Sequence, residues 1–333
     1  MFAILESMVN FSRQQVGLPQ HGGGKMYVLG IDGGGTKTVC VAARASGEIV
    51  GRGTGGPANY LKEGLYTAKL SLSEAVEKAL DQAKGNRLSV TAVCAGLAGV
   101  GRMNDRLIMK RLFADICPNA QLILENDAFI ALVGATEYAP GVIVISGTGS
   151  IALGLNEQGE TARAGGWGHI LGDEGSGYDI ARRGLQAALR AHDGRGPDTL
   201  IRKKVMEQFY LSSVEELISL LYGEDTTPRR IAGIYPLILE AAEEGDEVAT
   251  LLIEKAAAAL VHAAVAVTRK LKMEDKIFPV AVSGGVFRSS AKMCSAFQRL
   301  LTKRITGARL TEPRHPPEVG ALLIALKTLA KSG

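Results

Sequence analysis

The sequence predicts an α/β protein built twice on one plan, and three observations carry that prediction. A buried strand, Tyr27-Val-Leu-Gly-Ile-Asp, runs into the turn Gly33-Gly-Gly-Thr-Lys-Thr and returns as Val39–Ala43. Later, the strand Val142–Ser146 runs into Gly147-Thr-Gly-Ser and returns as Ile151–Asn156. Around these hairpins, short β-branched runs alternate with stretches of helical periodicity, as in mixed sheets covered by helices.

The elements follow in order. Ser46-Gly47 turns the chain into a third strand, Ile49–Gly53, and Gly55-Gly-Pro-Ala-Asn59-Tyr60 is a loop before a helix over Tyr66–Ala83. The strand Ser89–Ala95 opens into Gly96-Leu-Ala-Gly-Val-Gly101, and Asn104–Phe113 is helical. Gln121–Leu124 is a strand presenting Asn126 and Asp127, with a short helix over Ala128–Thr136. Gly141 begins the second copy, and Glu157-Gln-Gly159 turns its hairpin. The segment Ala164-Gly-Gly-Trp-Gly-His-Ile-Leu-Gly-Asp-Glu-Gly-Ser-Gly sets six glycines around the only tryptophan and makes little sense as a core element. Helices follow, with Asp179–His192 first and the Ala-rich Leu251–Lys270 later; Thr226-Thr-Pro-Arg and Glu244-Gly-Asp are breaks. The strand Phe278–Val282 enters Ser283-Gly-Gly-Val-Phe, Met293–Thr302 is a helix, and Glu318–Ala330 closes the chain.

Composition narrows the function classes. The 333 residues are 46% hydrophobic and 22% charged with 41 glycines, a soluble globular balance with room for two cores. The net charge of +4 is spread along the chain, which argues against a nucleic-acid partner. Cys40, Cys94, Cys117 and Cys294 form no CxxC pair, so they frame neither a disulfide scaffold nor a metal or iron–sulfur site, and free thiols fit a cytoplasmic protein. No apolar run approaches the length of a membrane span, which predicts no membrane partner. Residues 1–25 end in His21-Gly-Gly-Gly and read as a flexible lead-in.

The first glycine turn joins two antiparallel strands, whereas Rossmann and P-loop signatures need a following helix, and GxxxxGK[ST] is absent. A glycine hairpin can still hold phosphate, because its N–H groups approach oxygen without Cβ interference. Two such hairpins, one per half, point to a phosphate chain clasped from both sides. Asp127 at a strand end would serve as a general base for an acceptor hydroxyl, although an isolated aspartate there could simply cap the next helix.

Taken in order, IDGGGTKT, ENDA, ISGTGS, GGWGHILGDEGS, SGGVF and PPEVGAL resemble the BadF/BadG/BcrA/BcrD-type ATPases, and within them the N-acetylglucosamine kinases. The resemblance covers nearly everything from Met26 onward. It implies two ribonuclease-H-like domains of the actin-like ATPase fold with a nucleotide cleft between them. Residues 26–137 would form the first, with the closing helix 318–333 packing back on it, and 138–317 the second, with a helical insertion. It further implies ATP and Mg²⁺ as cofactors, an amino sugar as substrate, a homodimer, and transfer of phosphate to the sugar 6-hydroxyl.

By the same resemblance, Asp127 is the catalytic base and Asp32 lies near the metal through water. Gly34, Gly35 and Thr36 form the first phosphate loop and Gly147, Thr148 and Gly149 the second, while Gly233, Gly284 and Gly285 surround the adenosine. Asn59, Asn126, Ser150, Gly166, Trp167, Gly168 and Asp173 match the sugar-binding set. Lys37 is either a phosphate contact or a solvated lysine, and His169 reads as structural. Two positions depart from the family's animal members: Ile151 replaces an asparagine and Ala98 a serine, both near the expected acetamido side. N-acetylglucosamine leads as substrate, with glucosamine and N-acetylmuramic acid as alternatives. An activator ATPase for a radical dehydratase shares the fold but needs closely placed cysteines for its cluster.

Overall fold

The computed structural model describes residues 26–223 and 226–332, so the lead-in expected over 1–25 lies outside the described residues. The chain divides into two compact units, one running to Tyr138 and resuming at Pro313, the other spanning Ala139–Glu312.

The first unit is a five-stranded sheet of β1 (Tyr27–Gly33), β2 (Thr38–Ala43), β3 (Ile49–Gly55), β4 (Val90–Leu97) and β5 (Gln121–Glu125) in the order β3-β2-β1-β4-β5. The hairpin strands pair antiparallel, and β4 and β5 run parallel to β1. Period-two alternation sends Tyr27, Leu29 and Ile31 into a core with the helices Leu65–Ala83 and Met103–Ile116. Val28 points into the opposite core, with the helix Asp127–Thr136 and the closing helix Pro317–Ser332. On β3, Gly51, Gly53 and Gly55 face the helix Leu65–Ala83 so closely that a Cβ would sit 2.0–2.1 Å from the carbonyls of Ala79, Ala75 and Ser71. Those three glycines let the helix rest directly on strand backbone.

The second unit repeats the plan with β6 (Gly141–Ser146), β7 (Ser150–Leu155), β8 (Thr161–Gly165), β9 (Phe278–Ser283) and β10 (Ala308–Thr311) in the order β10-β9-β6-β7-β8. Read from the other edge, this is the first sheet's order. Sequence periodicity misses β8 because Thr161-Ala-Arg-Ala-Gly is a short run of small and charged residues without an apolar face. Its pairing with β7, Leu155↔Thr161 to Ile151↔Gly165, makes it a strand.

The helix Glu247–Lys270 corrects one expectation. An 18-residue window within it has a mean hydropathy of 1.7, so by length and composition the helix could cross a membrane, which the sequence reading did not expect. The adjacent charges Glu254 and Lys255 hide this from a search for unbroken apolar runs. In this structure Ile253, Ala257, Leu260, Val261 and Val267 bury one face of it in the second unit's core.

Candidate functional site

In the first unit, β1 and β5 run parallel, so their carboxyl ends share one edge of the sheet, where α/β folds gather functional groups. Asp32 stands at the end of β1. Asn126 and Asp127 follow β5, and Asn126 is the N-cap: its Oδ1 accepts from the Phe129 N–H at 2.7 Å. Capping therefore falls to Asn126 rather than Asp127. Asp127 Oδ1 accepts from the Ala128 N–H at 2.9 Å. Its side chain is open at the surface, yet enough protein surrounds it that desolvation outweighs those backbone hydrogen bonds and raises its pKa.

Asp32 is pushed up to about 7, first by burial, then by the negative charges of Asp127 and Glu318; Lys37 opposes the rise. Glu318 is buried at 2% exposure and ion-pairs with Arg52. Sequence reasoning held it only within PPEVGAL at the start of the closing helix, and nothing local marks it as a neighbour of Asp32. It lies 286 positions from Asp32 and enters the neighbourhood only because the closing helix packs on β1.

The hairpin after β1 is a turn in which the Gly34 N–H donates to the Lys37 carbonyl at 3.1 Å. Among the described residues, the N–H groups of Gly35 and Thr36 have no protein acceptor, and both residues are exposed. Lys37 is likewise exposed. Asn59 is buried beside Gly99, and its Oδ1 is a buried polar atom with no partner. An orphaned buried acceptor of this kind costs stability unless a donor arrives, so it fits a ligand hydroxyl.

The second unit's hairpin is one residue shorter and closes more tightly: the Gly147 N–H donates to the Gly149 carbonyl at 2.9 Å, leaving the N–H groups of Thr148 and Gly149. Around it the segment Asp173–Gly177 forms a brace. The Gly177 N–H donates to Gly147 O at 2.8 Å, Ser146 Oγ to Gly175 O at 2.8 Å, and Ser150 Oγ to Glu174 O at 2.8 Å. Ser150 thus spends its hydroxyl proton on the backbone. Asp173 is buried and accepts from the Ser150 N–H at 3.3 Å. A Cβ on Gly149 would lie 2.7 Å from Asp173 Oδ2, so this carboxylate and the second loop are direct neighbours. Burial raises the Asp173 pKa against hydrogen bonds from the Ser150 and Gly168 backbone.

Gly284, at φ +102°, backs onto the same loop, where a Cβ would stand 2.0 Å from Ser146 O; Gly285 opens the helix Gly285–Ser289. Gly233 caps the C-terminus of the helix Pro228–Ala232. Trp167 is 63% exposed and therefore not core, and the Arg163 guanidinium lies over its ring at 4.5 Å. Gly166 lies against Ile151, and Gly168 donates toward Asp173. His169 packs edge-on against Tyr178 with ring centroids 5.0 Å apart.

No group of three or more His, Cys, Asp or Glu among the described residues could enclose a metal. A lone carboxylate such as Asp32 suits Mg²⁺ that keeps its waters and takes its other ligands from phosphates.

Residues 29–325 match the family model described as the BadF/BadG/BcrA/BcrD ATPase family. The chain is 34% identical over 299 residues to an N-acetylmuramic acid/N-acetylglucosamine kinase of Clostridium acetobutylicum, covering 90% of this chain and 98% of that one. It is 33% identical to an N-acetyl-D-glucosamine kinase of Dictyostelium discoideum, covering 91% and 99%. Among solved structures, it superposes at a TM-score of 0.75 and 28% identity on a Chromobacterium violaceum protein whose designation as N-acetylglucosamine kinase is itself provisional, over 90% and 99%. A ROK hexokinase from Thermus thermophilus shares the fold at a TM-score of 0.58 and 17% identity, over 92% and 100%. The two mixed sheets are thus those of the actin-like ATPase fold.

Proposed function

We propose that this chain, which belongs to the BadF/BadG/BcrA/BcrD ATPase family, is an ATP:sugar phosphotransferase that converts N-acetylglucosamine to its 6-phosphate. The observation that carries the reading is Asp127: an open carboxylate at the strand-end edge of the first sheet, relieved of helix capping by Asn126. The sugar 6-hydroxyl would give its proton to Asp127 as its oxygen attacks the γ-phosphorus, and ADP would leave with the bridging oxygen's electrons. Deprotonated Asp127 is the working form, so its raised pKa makes turnover fall on the acid side.

The unpaired N–H donors of Gly35 and Thr36, and of Thr148 and Gly149, would hold phosphate oxygens, with Lys37 adding charge. Mg²⁺ would be held near Asp32 through water and would neutralise charge on the β- and γ-phosphates. Asn59 would accept a ring hydroxyl through its orphaned Oδ1, and Asp173 another through the oxygen facing Gly149. Gly233, Gly284 and Gly285 are assigned to the adenosine. ATP dependence agrees with a cytoplasmic location.

The test is ADP release from the purified protein with N-acetylglucosamine, glucosamine, N-acetylmuramic acid and glucose. N-acetylglucosamine should be turned over at the highest or near-highest kcat/KM. A preference for glucose, or no ADP above the sugar-free blank, would refute the assignment.

A further inference from the structure

We propose that Tyr60 is a positioning residue for sugar binding: its hydroxyl, hydrogen-bonded to Asp105, holds the turn that carries Asn59 so that the Asn59 amide oxygen stays open to a sugar hydroxyl. The inference rests on the amino-sugar kinase reading above.

Asn59 is 9% exposed, and its Oδ1 is, among the described residues, the one buried side-chain N or O atom without a hydrogen-bond partner. A bare acceptor of this kind serves a ligand only if its position is fixed and nothing else covers it. The local backbone does little to fix it. Asn59 leads into the four-residue helix Tyr60–Glu63, where the Lys62 and Glu63 N–H groups each donate to Asn59 O at 3.0 Å. No residue of that helix is fully buried, and Leu61 is 59% exposed. A single helical turn does not hold itself together, because nucleation costs more than its few hydrogen bonds return. It needs an anchor from outside.

Among the described residues, one side-chain hydrogen bond leaves this helix: the Tyr60 hydroxyl donates to Asp105 Oδ1. Asp105 is buried in the first turn of the helix Met103–Ile116, and its Oδ2 accepts from the Arg102 N–H at 3.0 Å. One carboxylate therefore grips both the turn after Asn59 and the end of the loop that runs from Ala98 to Arg102. The Tyr60 hydrogen bond also holds the Asp105 carboxyl below its ordinary range, which keeps the acceptor charged and the bond strong. Gly99, in that loop, is at φ +85°, and a Cβ there would lie 3.3 Å from Asn59 Oδ1 and 3.0 Å from Leu61 Cδ1. The glycine leaves the acceptor uncovered, and the Tyr60–Asp105 bond fixes the spacing of the two segments beside it. The first glycine hairpin is tied separately, through the Ala58 and Ala98 N–H groups, which donate to Gly34 O at 3.0 Å and Gly33 O at 3.1 Å. Loss of the Tyr60 hydroxyl should thus reach Asn59 and leave the hairpin in place.

The experiment measures ADP release by wild type, Tyr60→Phe, Asn59→Ala and the double variant, with N-acetylglucosamine and ATP varied in turn. Tyr60→Phe keeps the ring that packs against the first unit's core. It should raise KM for the sugar by about 5- to 50-fold, as for a hydrogen bond to a charged group spent partly on positioning, with kcat and the KM for ATP within about threefold of wild type. In the Asn59→Ala background the same substitution should raise the sugar KM by less than about twofold, because the group it positions is gone. KM does not depend on the fraction of protein that is folded, so a loss of folded protein cannot imitate the result. A wild-type sugar KM in Tyr60→Phe, a parallel rise in the KM for ATP, or the same rise with and without Asn59 overturns the inference and leaves the kinase assignment standing. Absence of N-acetylglucosamine turnover by wild type would sink both.

Discussion

Asp32 and Ser146 stand at matching points of two sheets with the same strand order, each at the end of the central strand just before a glycine hairpin. One is a carboxylate pushed up to about 7 by burial and by Asp127 and Glu318. The other is a buried hydroxyl donating to Gly175 O. The hairpins beyond them each close from their first loop residue to their last, Gly34 to Lys37 and Gly147 to Gly149, but are supported differently. Gly35 has no heavy atom within 4 Å of a built Cβ. The first loop is tied to the rest of its unit by backbone contacts at Ala58 and Ala98. The second is cross-braced by Asp173, Glu174, Gly175 and Gly177 and backed by Gly284. The repeat is thus one of backbone, and its copies differ: the first unit sets Asp32 and Asp127 beside a sparsely supported hairpin, the second braces its hairpin with the Asp173–Gly177 segment.

The largest effect expected from this division is on Asp127. Asp127→Asn should lower turnover by roughly 10²–10⁴-fold while leaving the thermal midpoint near wild type. A near-normal rate would mean that the first unit's acids are not the chemical half.

Next comes a matched pair of glycine substitutions. Gly284→Ala puts a methyl against Ser146 O at a φ of +102°, which should cost about 3 kcal/mol or more and lower the unfolding midpoint by about 6 °C. Gly35→Ala meets nothing and should stay within about 0.5 kcal/mol of wild type. Equal shifts in calorimetry would erase the contrast between a braced and an open loop.

The third expected effect is a slope with pH. Asp32 has a folded pKa near 7 against an ordinary value of 3.8, so the folded state binds its proton more tightly than the unfolded chain does. Its contribution to stability is therefore full below about pH 4 and is lost as pH rises toward 7. In thermal melts of the ligand-free protein over that window, wild type should lose stability relative to Asp32→Asn. Parallel curves would show that Asp32 is not held in the way its surroundings imply.

Most of the strand and helix order was readable because both sheets are built from apolar runs punctuated by glycine turns, and period-two burial keeps those runs distinct from helices. The exceptions follow a physical pattern. The edge strand β8 has no apolar face, and its identity comes from pairing with β7. The membrane-length apolar helix Glu247–Lys270 escaped because Glu254 and Lys255 interrupt its apolar run. At the site, Asp32, Asn126, Asp127 and the glycines stand in contiguous motifs, so their presence could be read directly. That Asn126 takes the cap and frees Asp127 could not, since either side chain has the chemistry for it.

The sequence by itself determined the doubled α/β plan, the two glycine hairpins and the strand-end aspartate, because each is written within a few consecutive residues. Tertiary structure alone decided that Glu318 presses on Asp32, that Asp173 backs the second hairpin, and that Arg163 lies on the Trp167 ring. Those contacts join separate parts of the chain, and electrostatics and packing act through space.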